Sequence, residues 1–591
     1  MGQPLILIDD STGAPNACSY LYQNPLTIIR ADDLADVERA LAAASQAMAD
    51  GFYIAGFMAY EAGYALEPRL RHLFKPGGGP LVWFGVFKTR TKLSPQESEA
   101  LWADETGAAE NFALSKSLAG YEADIDRIMH WLKAGDAYQI NHTLRGTFTC
   151  TGTARGLYKA LRPGQRVSTG AFVDTGEKSI LSLSPELFVR SDGHMIESRP
   201  MKGTAPRPPL QPHDDKAAKA LAADEKSRAE NLMIVDLIRN DLSRIAEPGT
   251  VTVPSLFDVE RHRTLLTMTS TVRAQKRADV DLADVMRAIF PCGSVTGAPK
   301  IRAMELIADL EDTPRGAYCG AIGHGAPDGS FAFNVPIRTL EVDGHGNGLV
   351  GLGSGIVADS TAQSEYAECW LKARFLSDPV PDFEIFETTR IEADGSIYLL
   401  EAHLARLAAS CAWFSYPFNE AKLRQMLAAE AKAAAGTPTR LRFAIAFDGT
   451  LSIKTEPLTA PMRPESGTII LATEQVQSDD PFLHHKTSHR ARYNQAMVDA
   501  GAAGHLDIIF ENENGEITEG ARTNIFAQID GVLITPPQAA GLLPGTMRAA
   551  ILADPTRKTR EATLTRADLK NAEALYICNS VMGWVPVTLA P

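Results

Sequence analysis

Apolar and polar positions follow two periods along this chain. Leu5-Ile6-Leu7-Ile8 is a continuous apolar run of the length of a buried strand. From 32 to 50 the period lengthens: Leu34, Val37, Leu41 and Met48 recur at helical spacing behind Asp32 and Asp33, either of which caps a helix start. Residues 56–64 and 81–87 read as aromatic-rich strand edges, and 121–134 as an amphipathic helix stopping near Gly135. The Pro-rich, charged stretch 205–215 reads as a mobile loop. Residues 229–242 form a helix with Met233, Ile234, Leu237 and Ile238 on one face. Glu230 falls in its first turn, where the helix dipole favours a carboxylate.

Two prolines within Ser377-Asp378-Pro379-Val380-Pro381-Asp382 mark a linker, so domains are expected at 1–376 and 383–591 with 377–382 between them. Beyond the linker the pattern turns α/β. A helix is expected at 400–414, strands at 441–447, 468–473 and 506–510, and a hairpin turn at Asn514-Gly515.

At 591 residues the chain is too long for a single core. Its 45% apolar and 22% charged content is that of a soluble globular protein. A net charge of -14 argues against nucleic-acid or anionic-membrane partners, yet leaves room for a small anion beside a local cation. Seven cysteines without a CxxC pair point to reduced thiols. No apolar run of about 18 residues and no leader-like start is present, so a cytoplasmic protein with no membrane partner is expected.

The candidate chemistry begins at Lys202, in Glu197-Ser198-Arg199-Pro200-Met201-Lys202-Gly203-Thr204. A lysine on a tight turn is either a solvated loop residue or, if its surroundings lower its pKa, a nucleophile. Glu365 and Glu368 share one helix face, with Lys372 a turn beyond; this is either a solvated ion-pair face or, with Glu230, an oxygen-ligand set of the kind Mg²⁺ takes. Two glycine-rich turns, Cys292 to Lys300 and Gly351-Leu352-Gly353-Ser354-Gly355-Ile356, lack nucleotide-loop spacing but offer backbone N–H groups to a carboxylate.

The segments ESRPMKGT, AENLMIVDLIRNDLSR, GSVTGAPKIRAMELI, AYCGAIGH, NVPIRTL and GSGIVADS…SEYAECWLKA occur in the order found in chorismate-utilising enzymes. The chain resembles that family densely over 110–376; its members include anthranilate, isochorismate, salicylate and aminodeoxychorismate synthases. The resemblance implies an α+β fold of large antiparallel sheets flanked by helices. Lys202 stands where aminodeoxychorismate synthases carry lysine, and Gln139 where the water-using members carry a lysine base. It further implies Mg²⁺ at Glu230 and Glu368 with Glu365 nearby, and Arg338 and Tyr318 on the enolpyruvyl carboxylate of chorismate. Gly203, Thr204, Gly353, Gly355 and Gln139 would line the substrate, Lys202 would attack the ring, and Glu186 would protonate the leaving hydroxyl. That chemistry needs a neutral Lys202 and a protonated Glu186. One departure is Thr267, at a position where many members carry histidine. No glutaminase-like nucleophile motif is found, so ammonia is expected from a separate glutamine amidotransferase subunit or from solution.

In the C-terminal part, His484-His485-Lys486-Thr487-Ser488-His489-Arg490 is either a basic surface loop or the site of a lysine that binds pyridoxal phosphate (PLP). Glu519 offers a carboxyl for a pyridine nitrogen, and Gly541 to Arg548 a turn suited to phosphate. With Phe386 to Arg390, Leu400 to Leu407 and Ile577 to Gly583, these segments resemble class IV PLP enzymes, an α/β class that includes transaminases and aminodeoxychorismate lyase. The resemblance implies Lys486 as the PLP lysine and proton-transfer base, Glu519 at the pyridine nitrogen, and Arg406, Gly545 and Thr546 at the phosphate. It also implies a homodimer through this domain. The expected activity is formation of 4-aminobenzoate. The alternatives are an anthranilate synthase-like enzyme with a transaminase, or a non-catalytic C-terminal dimerisation domain, because the domain starts without the usual opening strands.

Overall fold

The computed structural model describes residues 3–14, 16–263 and 265–590. It divides into two units, one of residues 1–206 and 218–381 and the other of residues 207–217 and 382–591.

The first unit holds two ten-stranded sheets, antiparallel at every pairing. One carries, near one edge, the long pair Gln139–Gly152 and Asn347–Ile356; the other contains Met201–Pro206, Leu265–Gln275 and Tyr53–Met58. Ile6, Tyr22, Val173 and Ile180 of the first sheet pack with Phe57, Trp83, Phe87 and Ile322 of the second in one buried cluster, so the sheets are stacked face to face. Their outer faces are covered by helices. Leu34–Ala49, Glu225–Ser243 and Leu282–Ile289 bury their apolar stripes against one sheet, and Leu118–Ala134, Lys300–Leu310 and Ala362–Ser377 against the other. These are the large, helix-flanked antiparallel sheets that the resemblance implied.

Several local expectations change. Tyr53–Met58 is the strand, and 60–66 turns helical rather than extended. The glycine-rich run 351–356 is not a turn but the end of the strand Asn347–Ile356, because glycine there makes room for neighbouring side chains. The helix bearing Glu230 starts earlier, at Glu225 behind an Asp224 side-chain cap, which moves Glu230 into the second turn. Residues 205–215 are a loop only in part: Met201–Pro206 is a strand, 207–210 carry no helix or strand, Gln211–Ala223 is a helix, and 207–217 form part of the second unit.

The second unit has a three-stranded antiparallel sheet of Ile385–Ile391, Thr439–Ile445 and Leu451–Pro457, and an eight-stranded mixed sheet. Leu400–Phe414 is helical, as its spacing predicts. Gly467–Val476 and Asp507–Asn512 pair in parallel, with the helix Ala491–Ala502 as their crossover. Gly515, at φ 76, closes the hairpin from Asp507–Asn512 to Ile517–Gly520. All seven cysteines are free. No described helix is long and apolar enough to cross a membrane.

Candidate active sites

In the first unit the strand Met201–Pro206 pairs with Leu265–Gln275, but its register shifts between Met201 and Thr204. The irregularity falls on Lys202 and Gly203, and such a break re-aims a side chain out of the regular alternation. Gly203 has φ 89, and a Cβ on it would lie 2.8 Å from the Ser227 Cβ. Glycine therefore permits the close approach of this strand to the helix that carries Glu230. Asn231, fully buried on that helix, accepts from the Ser270 hydroxyl at 2.6 Å.

Gln139 and Gly355 come from adjacent strands of the other sheet. A Cβ at Gly355 would stand 1.9 Å from the Gln139 amide nitrogen and 3.0 Å from the Lys202 amine. Glycine at 355 is what lets Gln139 and Lys202 occupy one space. Both amide atoms of Gln139 and the Oε1 of Glu186 are buried without a protein partner. Buried polar atoms of this kind await a polar ligand or water.

Electrostatics join the same residues. Burial pushes the Lys202 amine below the ordinary lysine range; Glu186, Glu230 and Glu368 oppose the shift and Lys372 adds to it. Burial raises Glu186 to about 7, with Ser294 and Lys202 pulling it back. Burial also raises Glu230, against Lys202 and Lys226, while Asp359 and Glu365 push it further up.

Glu368 pairs with Lys372 at 2.7 Å, and Lys372 donates to the Gly353 carbonyl at 2.7 Å, which fastens the helix Ala362–Ser377 to the strand that bears Gly353 and Gly355. Glu365 accepts from the Ser354 hydroxyl of the same strand. Glu230, Glu365 and Glu368 are hard oxygen donors, and a cation would relieve the mutual repulsion of Glu230 and Glu365. They suit Mg²⁺ in donor chemistry, although among the described residues no three His, Cys, Asp or Glu groups converge into a closed metal cage.

Arg338 and Tyr318 are fixed by other partners. Arg338, at φ 48, donates to the Gln165 Oε1 at 2.7 Å, and burial lowers its pKa to about 10. The Tyr318 ring lies against Gly351, where a Cβ would meet it at 2.2 Å. These contacts do not join the two to the Lys202 cluster. Thr267 is buried opposite Thr204.

In the second unit one cavity is lined by Lys486, Arg406, Glu519, Gly545 and Thr546, and also by His403, Arg490, Tyr493, Asn524 and Ser580. Lys486 is half-buried there. Burial lowers its amine to about 7, helped by Arg490 and Arg406 and opposed by Glu387 and Glu519. Burial raises Glu519 to about 8, and Asn524 donates to its carboxyl at 3.2 Å. Burial alone would raise Glu387 as well, but Arg406 and His403 hold it down at about 2.

The Arg406 fork donates to Glu387 at 2.9 and 2.6 Å and to the Pro544 carbonyl at 2.8 Å, so it braces the wall of the cavity. His403 bonds Glu387 through Nδ1 at 2.7 Å, and its Nε2 faces the Ser580 hydroxyl at 3.0 Å and the Thr546 hydroxyl at 3.1 Å. Gly545 caps the helix Thr546–Leu552, and a Cβ on it would lie 1.8 Å from Asn524 Oδ1. A buried amine of lowered pKa, a buried carboxyl of raised pKa and a hydroxyl-rich turn at a helix start are the donor set that PLP requires. His403, Glu387, Ser580, Arg490 and Tyr493 were not singled out as site residues in the sequence. Histidine or serine inside an apolar run reads as core, and only the tertiary fold turns these toward one cavity.

Residues 9–378 match the chorismate binding enzyme family, and residues 384–590 match amino-transferase class IV. Aminodeoxychorismate synthase component 1 of Escherichia coli (strain K12) is 40% identical over 281 residues, 48% of this chain and 60% of that protein. Anthranilate synthase component 1 of Streptomyces coelicolor is 41% identical over 263 residues, 43% of this chain and 50% of that protein. The chain thus spans 60% or less of the length of these two relatives. The crystal structure of anthranilate synthase component I from Streptococcus pneumoniae TIGR4 superposes with a TM-score of 0.53 at 25% identity, covering 61% of this chain and 92% of that one. With most of its length matched in this way and a class IV domain behind, the chain belongs to the family of chorismate binding enzymes.

Proposed function

We propose that the protein makes 4-aminobenzoate from chorismate and ammonia, by amination at C4 in the first unit and elimination of pyruvate in the second. The observation that carries this reading is the buried Lys202 amine, held below its ordinary pKa among Glu186, Glu230 and Glu368. Overall identity does not choose between branches, because the aminodeoxychorismate and anthranilate synthase relatives are 40% and 41% identical. The lysine is what favours the first.

Neutral Lys202 attacks C2 of the chorismate ring as the C4–O bond breaks, and Glu186, protonated below about 7, gives its proton to the departing hydroxide. Ammonia then forms the C4–N bond, the C2–N bond to Lys202 breaks, and a proton from the added nitrogen returns to Glu186. Gln139, with both amide atoms unpartnered by protein, orients substrate or ammonia by hydrogen bonding. Mg²⁺, held by Glu230 and Glu368 with Glu365 beside them, would supply a Lewis acid for the ring carboxylate. The family resemblance assigns Arg338 and Tyr318 to the second carboxylate, for which Arg338 would have to release Gln165, and Gly203, Thr204 and Gly353 would line the substrate.

In the second unit PLP would supply the electron sink for loss of pyruvate. Lys486 would hold it, and its amine, lowered to about 7, is suited to take the C4 proton of aminodeoxychorismate. Glu519 would keep a proton at its pyridine nitrogen, and Arg406, Gly545 and Thr546 would hold its phosphate. The name component 1 borne by the Escherichia coli relative fits delivery of ammonia by a separate glutamine amidotransferase subunit. We further propose a cytoplasmic homodimer that pairs through the second unit.

Incubating the purified protein with chorismate, ammonium, Mg²⁺ and PLP tests this. The expected product is 4-aminobenzoate, lost in Lys202→Ala. Accumulation of aminodeoxychorismate would leave only the first half standing. A second reading, anthranilate synthesis with a non-catalytic second unit, is favoured by the Streptomyces relative; ortho-aminobenzoate as the product would establish it.

A further inference from the structure

Residues 207–217 sit in the sequence directly behind the strand that carries Lys202, yet they belong to the second unit. Their attachment there is built from buried groups. The Arg207 guanidinium, 9% exposed, donates to Asp214 at 3.1 and 3.0 Å and to the Trp413 carbonyl at 2.7 Å, and lies 4.1 Å from the centre of the Trp413 ring. The Trp413 indole N–H donates to the Pro208 carbonyl at 3.1 Å. The next carbonyl, that of Pro209, accepts from His485 Nε2 at 2.8 Å.

His485 is the neighbour of Lys486 and has no freedom of its own. A carbonyl only accepts, so Nε2 carries the proton, and Nδ1 accepts from the Ser410 hydroxyl at 3.0 Å. Its ring packs against Trp413 at 4.9 Å and Phe414 at 5.0 Å. Burial lowers its pKa to about 4, so it stays neutral at ordinary pH. On the other side of Lys486 the backbone is clamped by the opening strand of the unit. The Phe386 N–H donates to the Lys486 carbonyl at 2.9 Å, and Ser488 N–H to the Glu384 carbonyl at 2.8 Å. One clamp comes from the unit's own first strand and the other from the strap 207–217.

We infer that the strap is a positioning element of the PLP lysine: Arg207 and Trp413 present the Pro209 carbonyl, which fixes His485 and through it the backbone that aims Lys486 into the cavity. None of these strap residues touches the cavity; they act through His485. The inference rests on the reading of Lys486 as the PLP lysine, and it makes a stretch lying inside the first domain's sequence a structural part of the second site.

The test is a PLP titration of the full-length protein, followed by absorbance, with the pH midpoint of the bound band as a second readout. Arg207→Ala and His485→Phe, the latter keeping the ring packing but losing both hydrogen bonds, should bind PLP about tenfold more weakly, as expected for loss of one buried hydrogen bond. The pH midpoint of their bound band should move, which a merely destabilised fold would not cause, while chorismate consumption stays at the wild-type rate. Should either variant fail to fold, Trp413→Phe keeps an aromatic ring beside Arg207 and His485 but removes the indole donor to Pro208 and part of the ring packing, and should show a smaller change of the same kind. Folded variants with wild-type affinity and an unmoved midpoint would overturn the inference alone. A wild-type protein that takes up no PLP would overturn the reading of the cavity as well, so the two failures are told apart.

Discussion

A methyl group at Gly355 would stand 3.0 Å from the Lys202 amine and 1.9 Å from the amide nitrogen of Gln139. The strand thus leaves at 355 the volume of one side chain, and two polar groups converge in it. Gly355→Ala must displace one of them by about an ångström, and a displacement of that size near reacting groups lowers rates about a hundredfold. Chorismate consumption should fall by that order while PLP uptake is unchanged. Wild-type turnover in a folded Gly355→Ala would remove the crowding argument.

Glu186 supplies a pH signature. Burial holds its carboxyl at about 7, so the proton needed for the leaving hydroxide is present below that value and lost above it. Chorismate consumption should decline as pH rises through this region. Glu186→Gln should abolish that limb and lower the rate by at least about a hundredfold, the scale of general acid catalysis. A limb that survives in Glu186→Gln would assign it to another group.

At the second site Gly545 is held to glycine by Asn524, whose Oδ1 a Cβ would meet at 1.8 Å. Asn524 also donates to Glu519 at 3.2 Å, so Gly545→Ala disturbs together the turn proposed for the phosphate and the carboxyl proposed for the pyridine nitrogen. PLP affinity should drop by about tenfold or more, the worth of one hydrogen bond, as read by absorbance titration. Aminodeoxychorismate should then accumulate from chorismate and ammonium. Full PLP affinity in this variant would show that the turn relaxes.

Lys486 links protonation to stability before PLP binds. Its folded value of about 7 lies below the ordinary 10.5, so between these values the unfolded chain binds the extra proton, and stability rises with pH across that window. Lys486→Met removes the titration. Without PLP, its gain in melting temperature over the wild type should be largest below about pH 7 and shrink toward about pH 10. A difference that does not vary with pH would mean that the amine is not buried as drawn.

Local patterning settled much of the scaffold. The helix at 400–414 follows from apolar spacing alone, because the side chains buried along one face repeat at the period of the element itself, whereas the strand 82–87 is buried on both faces and is marked by its apolar and aromatic run rather than by a period. The reach of that reasoning ends where a residue's role depends on a neighbour from another element. The run with glycines 353 and 355 reads as a turn, since sequence shows glycine's freedom but not the His142 carbonyl and Thr143 that crowd Gly353, nor the Gln139 and Lys202 side chains that claim the space of a missing Cβ at Gly355. Residues 205–215 looked like a loop because proline and charge usually mean solvent, and nothing in them announces Trp413 and His485 as partners.

The sequence by itself determined which residues are chemically competent: a lysine and a glutamate at each of two sites, three further carboxylates and the turns beside them. Only the tertiary structure decided their ionisation. Whether an amine is a cation on the surface or a neutral base depends on the water removed from around it and on the charges left near it. Those are supplied by segments distant in the sequence, as Gln139, Lys202 and Gly355 are, and desolvation of that kind has no signature in the order of the residues.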